Sequence, residues 1–401
     1  MANAHHDQKL HVGKFEASQG LKTAAYVCTA IGLVGFAIGL LKNPEHLWPA
    51  YLTAFFFVSL LGLGGLFWVA VNFVTNAGWS VSIRRLAEGM ASFIPVMVIA
   101  GLVMAVMGLK VLFPWARPEE VAAEPVIQSK LGYLNPGFLM VRLLIFGLGT
   151  WMFSRCMVGN SVKQDISGDE SLTHKNAGLS VKYLLFFSLA FTMFSMDLLM
   201  SLLPTWYSTI FGIYCFAGMF QSSLALLILI MLYMRKTGMV QGYYNDEHIH
   251  DVAKYLKGFT VFWAYIAFSQ FMLIWYANIP EETEYYLMRA QNGWMGVSMM
   301  LLVGKFIVPF LVLLPRGNKR NPAVLIAICV WVLAMQYLDV YWMVGPNFHE
   351  NQMTFGFYDV AMLLGFIGIF LLMAFRFYSA KGLVAVKDPR MHEALTHHVT
   401  Y

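Results

Sequence analysis

"FSMDLLMSLLPTWYSTIFGIYCF", residues 194–216, carries a carboxylate, Asp197, into an apolar run, breaks that run at Pro204 and resumes it at once. What the stretch becomes depends on the solvent around it. Hydrophobic residues fill 59% of the 401 positions and charged residues 12%, where soluble domains carry roughly 45–50% and 25%. A chain so short of polar residues cannot cover itself against water, so its solvent is lipid. The stretch is then the end of one membrane span, a short turn, and the start of the next.

Working outward, ten apolar runs fall at about 21–41, 49–74, 90–113, 136–157, 180–202, 208–233, 256–278, 293–314, 322–344 and 357–377. Each is close to the roughly 20 residues that cross about 30 Å of hydrocarbon. Backbone in lipid must satisfy its own hydrogen bonds, so runs of this length are helices. The predicted fold is an all-α polytopic membrane protein of ten transmembrane helices. Its polar opening, MANAHHDQKLHVGKFEASQG, predicts no cleaved leader. Twenty Lys and Arg, among them Lys9, Arg84, Arg85, Lys319 and Arg320, fall on the side that would hold both termini. Five, Lys42, Lys110, Arg117, Lys130 and Arg289, fall on the other. That asymmetry predicts cytoplasmic termini, and it accounts for the net charge of +5 without nucleic acid.

The connections carry further expectations. The one between spans five and six is so short that these helices must pack antiparallel. Two inner connections, with polar centres GDESLTHKNAG (168–178) and YYNDEHIHDVAKY (243–255), are long enough to hold short interfacial helices. The longest outer loop, 114–136, is punctuated by prolines.

What the spans lack is equally informative. None of the eleven histidines lies inside an apolar run, so the chain offers no axial pair for a membrane haem. Cys28, Cys156, Cys215 and Cys329 each stand alone on a separate span, whereas clusters need several thiolates at short spacing. No phosphate-binding loop, dinucleotide loop or zinc-protease helix is present. Any electron carriers would belong to other chains.

Four charged residues lie well inside the spans, away from their ends: Arg142 in the fourth, Asp197 in the fifth, Lys305 in the eighth and Asp339 in the ninth. Unpaired, they would cost about 10 kcal/mol in all, at about 2.5–3.5 kcal/mol each. A shift of four helices maps base onto base and acid onto acid, a thin sign of parallel repeats. Arg142, Asp197 and Asp339 come to a similar depth, about 8–9 Å below the outer interface at 1.5 Å per residue, which would let them form one cluster. The plain reading is a structural ion pair; the functional one is a group that exchanges protons. Lys305 is deeper, with Ser298 on its own face. Tyr265, Ser269 and Tyr276 make a polar face on the seventh span beside Gln270. A second stripe, Ser188, Thr192 and Ser195, needs nothing beyond its own backbone carbonyls. Arg142, Asp197, Lys305, Asp339, Tyr265 and Ser269 are the proton-path candidates. Trp206, Trp275, Trp294 and Trp342 sit near outer helix ends, where an aromatic belt is expected.

Two stretches, FSMDLLMSLLPTWYSTIFGIYCFAG (194–218) and FTVFWAYIAFSQFMLIWYANIPEET (259–283), resemble the smaller of the two large membrane subunits of alternative complex III. This is a bacterial quinol-oxidising respiratory complex, and the subunit is NrfD-like, that is, polysulfide-reductase-like. The resemblance covers nearly the whole chain. It implies one NrfD-like domain over 1–401 in the bacterial inner membrane, with four-helix bundles over 49–202 and 208–344 between the first and tenth helices. It also implies a cofactor-free scaffold with a proton-conducting role. The expected partners are a larger NrfD-like subunit, a periplasmic iron–sulfur subunit, c-type haem subunits and other small membrane subunits. Haem c and iron–sulfur clusters would sit in those partners, with quinol as the substrate of the complex. Two other functions stay open at this point. The chain could hold its own quinol site, with Asp197 or Asp339 accepting a proton. It could also be a stand-alone secondary transporter, although Pro95 and Pro309 are single breaks at positions that do not correspond under the four-helix shift.

Overall fold

A computed structural model of the chain describes residues 10–349 and 354–398; His5, His6 and Lys9 lie outside the described residues. Among the described residues, ten helices are long and apolar enough to cross a membrane. They are α1 (Gln19–Lys42), α2 (Pro44–Val74), α3 (Gly78–Met107), α4 (Pro136–Ser167), α5 (Ser171–Leu202), α6 (Phe211–Lys236), α7 (Asp246–Ala277), α8 (Trp294–Val312), α9 (Pro322–Asn347) and α10 (Phe357–Lys381). The protein is an all-α, multi-pass membrane protein.

Helix α2 is apolar on every face, and such a helix must be buried all round. It is the axis of the molecule, packing against α3, α5, α6, α9 and α10. Helices α2, α3, α4 and α5 close a ring in which each touches its neighbours, and α6, α7, α8 and α9 close a second. The rings meet where α2 crosses α6. A Cβ on Gly64 would stand 1.9 Å from the Ser223 hydroxyl, so only glycine allows this approach. Helices α5 and α6 also pack together across the short turn. Outside the rings, α1 lies on α10 through Gly32 and Gly365, backbone to backbone.

The two inner connections do not hold separate interfacial helices. Helix α4 runs on to Ser167, stops at Gly168 with φ 71, and α5 begins at Ser171. Helix α7 begins at Asp246, where the Asn245 side chain accepts from the Glu247 and His248 backbone N–H groups at 2.9 and 3.3 Å. Extending a helix adds a hydrogen bond per residue, whereas starting one fixes several residues for a single bond. The polar centres therefore became extensions of spans. At 32 residues, α4, α5 and α7 are about 48 Å long and stand clear of a core about 30 Å thick. On the opposite side, the 114–136 loop folds into three short helical pieces that each open on a proline, Pro114–Ala116, Pro118–Ala123 and Pro125–Lys130.

Both terminal segments gather on one side. His11–Val12 pairs antiparallel with Val240–Gln241. The segment after α10 binds the first ring through Asp388 and Arg84 at 2.8 Å. It reaches the second through the Asn245 side chain, which donates to the His397 carbonyl at 2.9 Å, and through His397 Nε2 and Asp251 at 2.7 Å. We call this the terminal side and the opposite one the far side.

Candidate functional site

The first ring holds its base and acid face to face. The Asn135 side chain accepts from the Phe138 N–H at 2.9 Å and starts α4 beside Pro136, which sets Arg142 about two turns into the helix. Arg142 Nε donates to Asp197 Oδ2 at 2.7 Å and Nη2 to Oδ1 at 3.0 Å, a two-point fork that matches guanidinium to carboxylate. Its Nη1 donates to the Tyr133 carbonyl at 3.0 Å, and its plane lies 3.9 Å from the Tyr133 ring and 4.3 Å from that of Phe138. Burial, and next the Asp197 carboxylate, push the Tyr133 phenol up to about 12, so it stays protonated.

The second pair is more deeply enclosed. Lys305 is 0% and Asp339 1% exposed. The Lys305 ammonium donates to Asp339 Oδ2 and, at 2.7 Å, to Gln336 Oε1, and lies 4.4 Å from the Trp263 ring centre. The other carboxylate oxygen, Oδ1, accepts from the Tyr214 hydroxyl. The backbone explains how Lys305 reaches this place. Residue 309 is proline and has no N–H for the Lys305 carbonyl, and its ring crowds that carbonyl. The chain answers with a π-helical turn over Leu302–Ile307, inside which Lys305 sits. Side chains take up the freed carbonyls: Gln221 Nε2 donates to Lys305 O at 3.3 Å and Trp331 Nε1 to Gly304 O at 2.7 Å. Gln221 is itself held by Thr260 at 3.0 Å.

Of the candidate residues, the structure joins Arg142 with Asp197 and Lys305 with Asp339. Asp339 does not enter the Arg142–Asp197 cluster, because its two oxygens are engaged within the second ring. Depth along a helix put these groups on one level, but direction around the helix separates them. Tyr265 is 64% exposed and Ser269 half-buried on the outward face of α7, apart from both pairs. Ser298 serves Trp342, accepting from its indole at 2.8 Å, and does not touch Lys305. Ser188, Thr192 and Ser195 bond the carbonyls of Leu185, Ser188 and Phe191 on their own helix, at 3.0, 2.8 and 2.9 Å.

Sequence reading missed Tyr214, Trp263, Gln336 and Gln221. The first two lie in the two quoted stretches, 194–218 and 259–283, and Gln336 precedes Asp339 by one helical turn. The expected aromatic belt is corrected as well. Trp275 is exposed, but Trp206, Trp294 and Trp342 are buried. Two of these three line a compartment with Tyr285, which lies flat on Trp206 at 4.0 Å and edge-on to Trp342 at 5.8 Å. An indole needs a partner for its N–H when buried. Trp206 finds the Glu282 carbonyl at 3.1 Å, and Trp294 the His349 carbonyl at 3.1 Å.

No family model matches the chain, and no match is found among the curated proteins. The structure builds two buried charged pairs within its spans. One is a fork that fixes two helices together. The other offers an ammonium, a carboxylate and a phenol in one hydrogen-bonded line, away from solvent.

Proposed function

We propose that this chain is a cofactor-free membrane subunit of a respiratory quinol:acceptor oxidoreductase of the alternative complex III type. In this reading its termini lie in the cytoplasm, and its partners are a larger NrfD-like subunit, a periplasmic iron–sulfur subunit and c-type haem subunits. Its own chemistry is proton transfer at Lys305 and Asp339. The observation that carries this last role is the buried line from Lys305 through Asp339 to Tyr214, because ionisable groups inside a membrane are expensive and mark ion or proton pathways.

The proton bookkeeping closes on these residues. A proton that arrives on the Asp339 carboxylate leaves the Lys305 ammonium as an uncompensated buried cation. Lys305 then releases a proton, and the neutral amine takes the one held by Asp339, which restores the ion pair. One proton has entered at the acid and one has left at the base. Tyr214 orients the carboxylate, and Gln336 and the Trp263 face hold the ammonium.

Two measurements test the reading. The tagged protein, gently extracted from native membranes, should carry stoichiometric haem c and iron in a reduced-minus-oxidised spectrum with metal analysis; a colourless, iron-free chain running alone would end the assignment. In the assembled complex, Asp339→Asn should cut proton release per quinol oxidised while subunit composition stays unchanged. Loss of assembly with normal coupling in the remainder would return the pair to a structural role.

A further inference from the structure

Arg289 stands in the connection between α7 and α8, just beyond the short helix Pro280–Met288, and is 1% exposed. Among the described residues it forms no ion pair. Its guanidinium donates from Nε to Trp342 O at 3.2 Å, from Nη1 to Tyr285 O at 2.8 Å and from Nη2 to Met343 O at 2.9 Å. Its plane lies 3.4 Å from the Tyr285 ring centre and 4.9 Å from that of Trp342. Three carboxylates, Glu281, Glu282 and Glu284, belong to the adjoining nine-residue helix. None turns inward to neutralise it, and Glu284 accepts from Thr205 instead.

Among the described residues, then, this buried cation has no carboxylate partner, although acids stand on the adjoining helix. Two helix C-termini make this tolerable, because each presents the equivalent of about half a negative charge. Capping alone does not call for a charge, since a neutral amide can also donate to carbonyls. The position is informative. Trp342 and Met343 follow Asp339 on α9 by three and four residues, so the carbonyls that Arg289 binds lie one turn, about 5.4 Å, to the far side of Asp339, and the guanidinium caps them from beyond. A fixed guanidinium at the neck of a polar path repels protons and cations, and in proteins it cannot shed its charge.

We infer that Arg289 is an electrostatic plug that closes the far end of the Lys305–Asp339 site to protons. The inference rests on the proton-transfer reading of that pair and adds where the site is sealed. Trp206, stacked on Tyr285, is the outer wall of the seal.

The test uses the full chain in liposomes loaded with a pH-sensitive dye, with proton flux followed under an imposed potential. Wild type is expected to be tight, and Arg289→Gln to raise flux about tenfold, which corresponds to about 1.4 kcal/mol of barrier. Arg289→Lys, which keeps charge but loses the fork, should stay close to wild type. Adding Lys305→Met to Arg289→Gln should restore tightness. Equal leakage from the Gln and Lys variants, or leakage that survives Lys305→Met, would make Arg289 a structural cap and overturn the plug. So would a folded Arg289→Gln chain that stays tight while Asp339→Asn still lowers proton release in the complex. If neither substitution moves proton flux, the path itself fails, and the plug with it.

Discussion

The two rings place a base and an acid on matching helices, α4 with α5 and α8 with α9, yet they use different bases. Arg142 is locked by two bonds to one carboxylate and by two aromatic faces. Its guanidinium has no proton to give. Lys305 is a single ammonium shared between a carboxylate and an amide, and lysine can release its proton. The far ends differ too. Each ring has a base in the loop before α4 or α8, and these bases bind carbonyls at, or just beyond, the end of the acid-bearing helix. Lys130 reaches the Pro204 carbonyl and is half-buried, and burial draws its pKa below the ordinary lysine value. Arg289 reaches Trp342 and Met343 and is sealed. Under the proposed function, the first ring's pair is suited to hold and the second ring's pair to transfer.

The sharpest way to break this contrast is Arg142→Met. It strands Asp197 as a buried carboxylate and should cost about 3–5 kcal/mol, seen as a large loss of thermal stability in the solubilised full chain. Arg142→Lys should recover only part, since an ammonium cannot make the fork. A fully stable Arg142→Met chain would mean that the first pair holds nothing together. Next comes Lys305→Arg, which keeps the charge and removes the transferable proton. Proton release in the assembled complex should fall about tenfold, or about 1.4 kcal/mol, with composition unchanged. Full coupling in this variant would make the two pairs equivalent. The smallest effect is expected from Pro309→Ala. It returns an N–H to the Lys305 carbonyl, displaces Gln221 and straightens the π turn, giving a few-fold loss of proton release without loss of stability. No change in coupling would show that the turn does not set the ammonium's position.

Much of this was legible in the residues and some was not. Ten spans follow from composition and run length, and the four-helix shift paired Arg142 with Lys305 and Asp197 with Asp339 in type. Residue spacing gives depth along a helix well, because the rise is fixed at about 1.5 Å. It says little about which helix faces which, so depth alone groups Asp339 with Arg142 although Asp339 points into the other ring. Tyr214 and Trp263 were hidden by abundance in a chain that is 15% aromatic. Arg289 read as one more loop base, because nothing local in the sequence distinguishes a sealed loop from an open one. The tryptophans near it read as a belt for the same reason.

The Arg84–Asp388 bond bears on how the protein is made. Its partners are 304 residues apart in the chain, and Arg84 belongs to α3, one of the first helices made. Asp388 leaves the ribosome only after all ten spans. The first ring therefore cannot reach its final charge balance during synthesis and must wait, with Glu88 as its interim neighbour at 3.5 Å, for the last segment to return. Completion of the earliest-made bundle is thereby tied to completion of the whole chain.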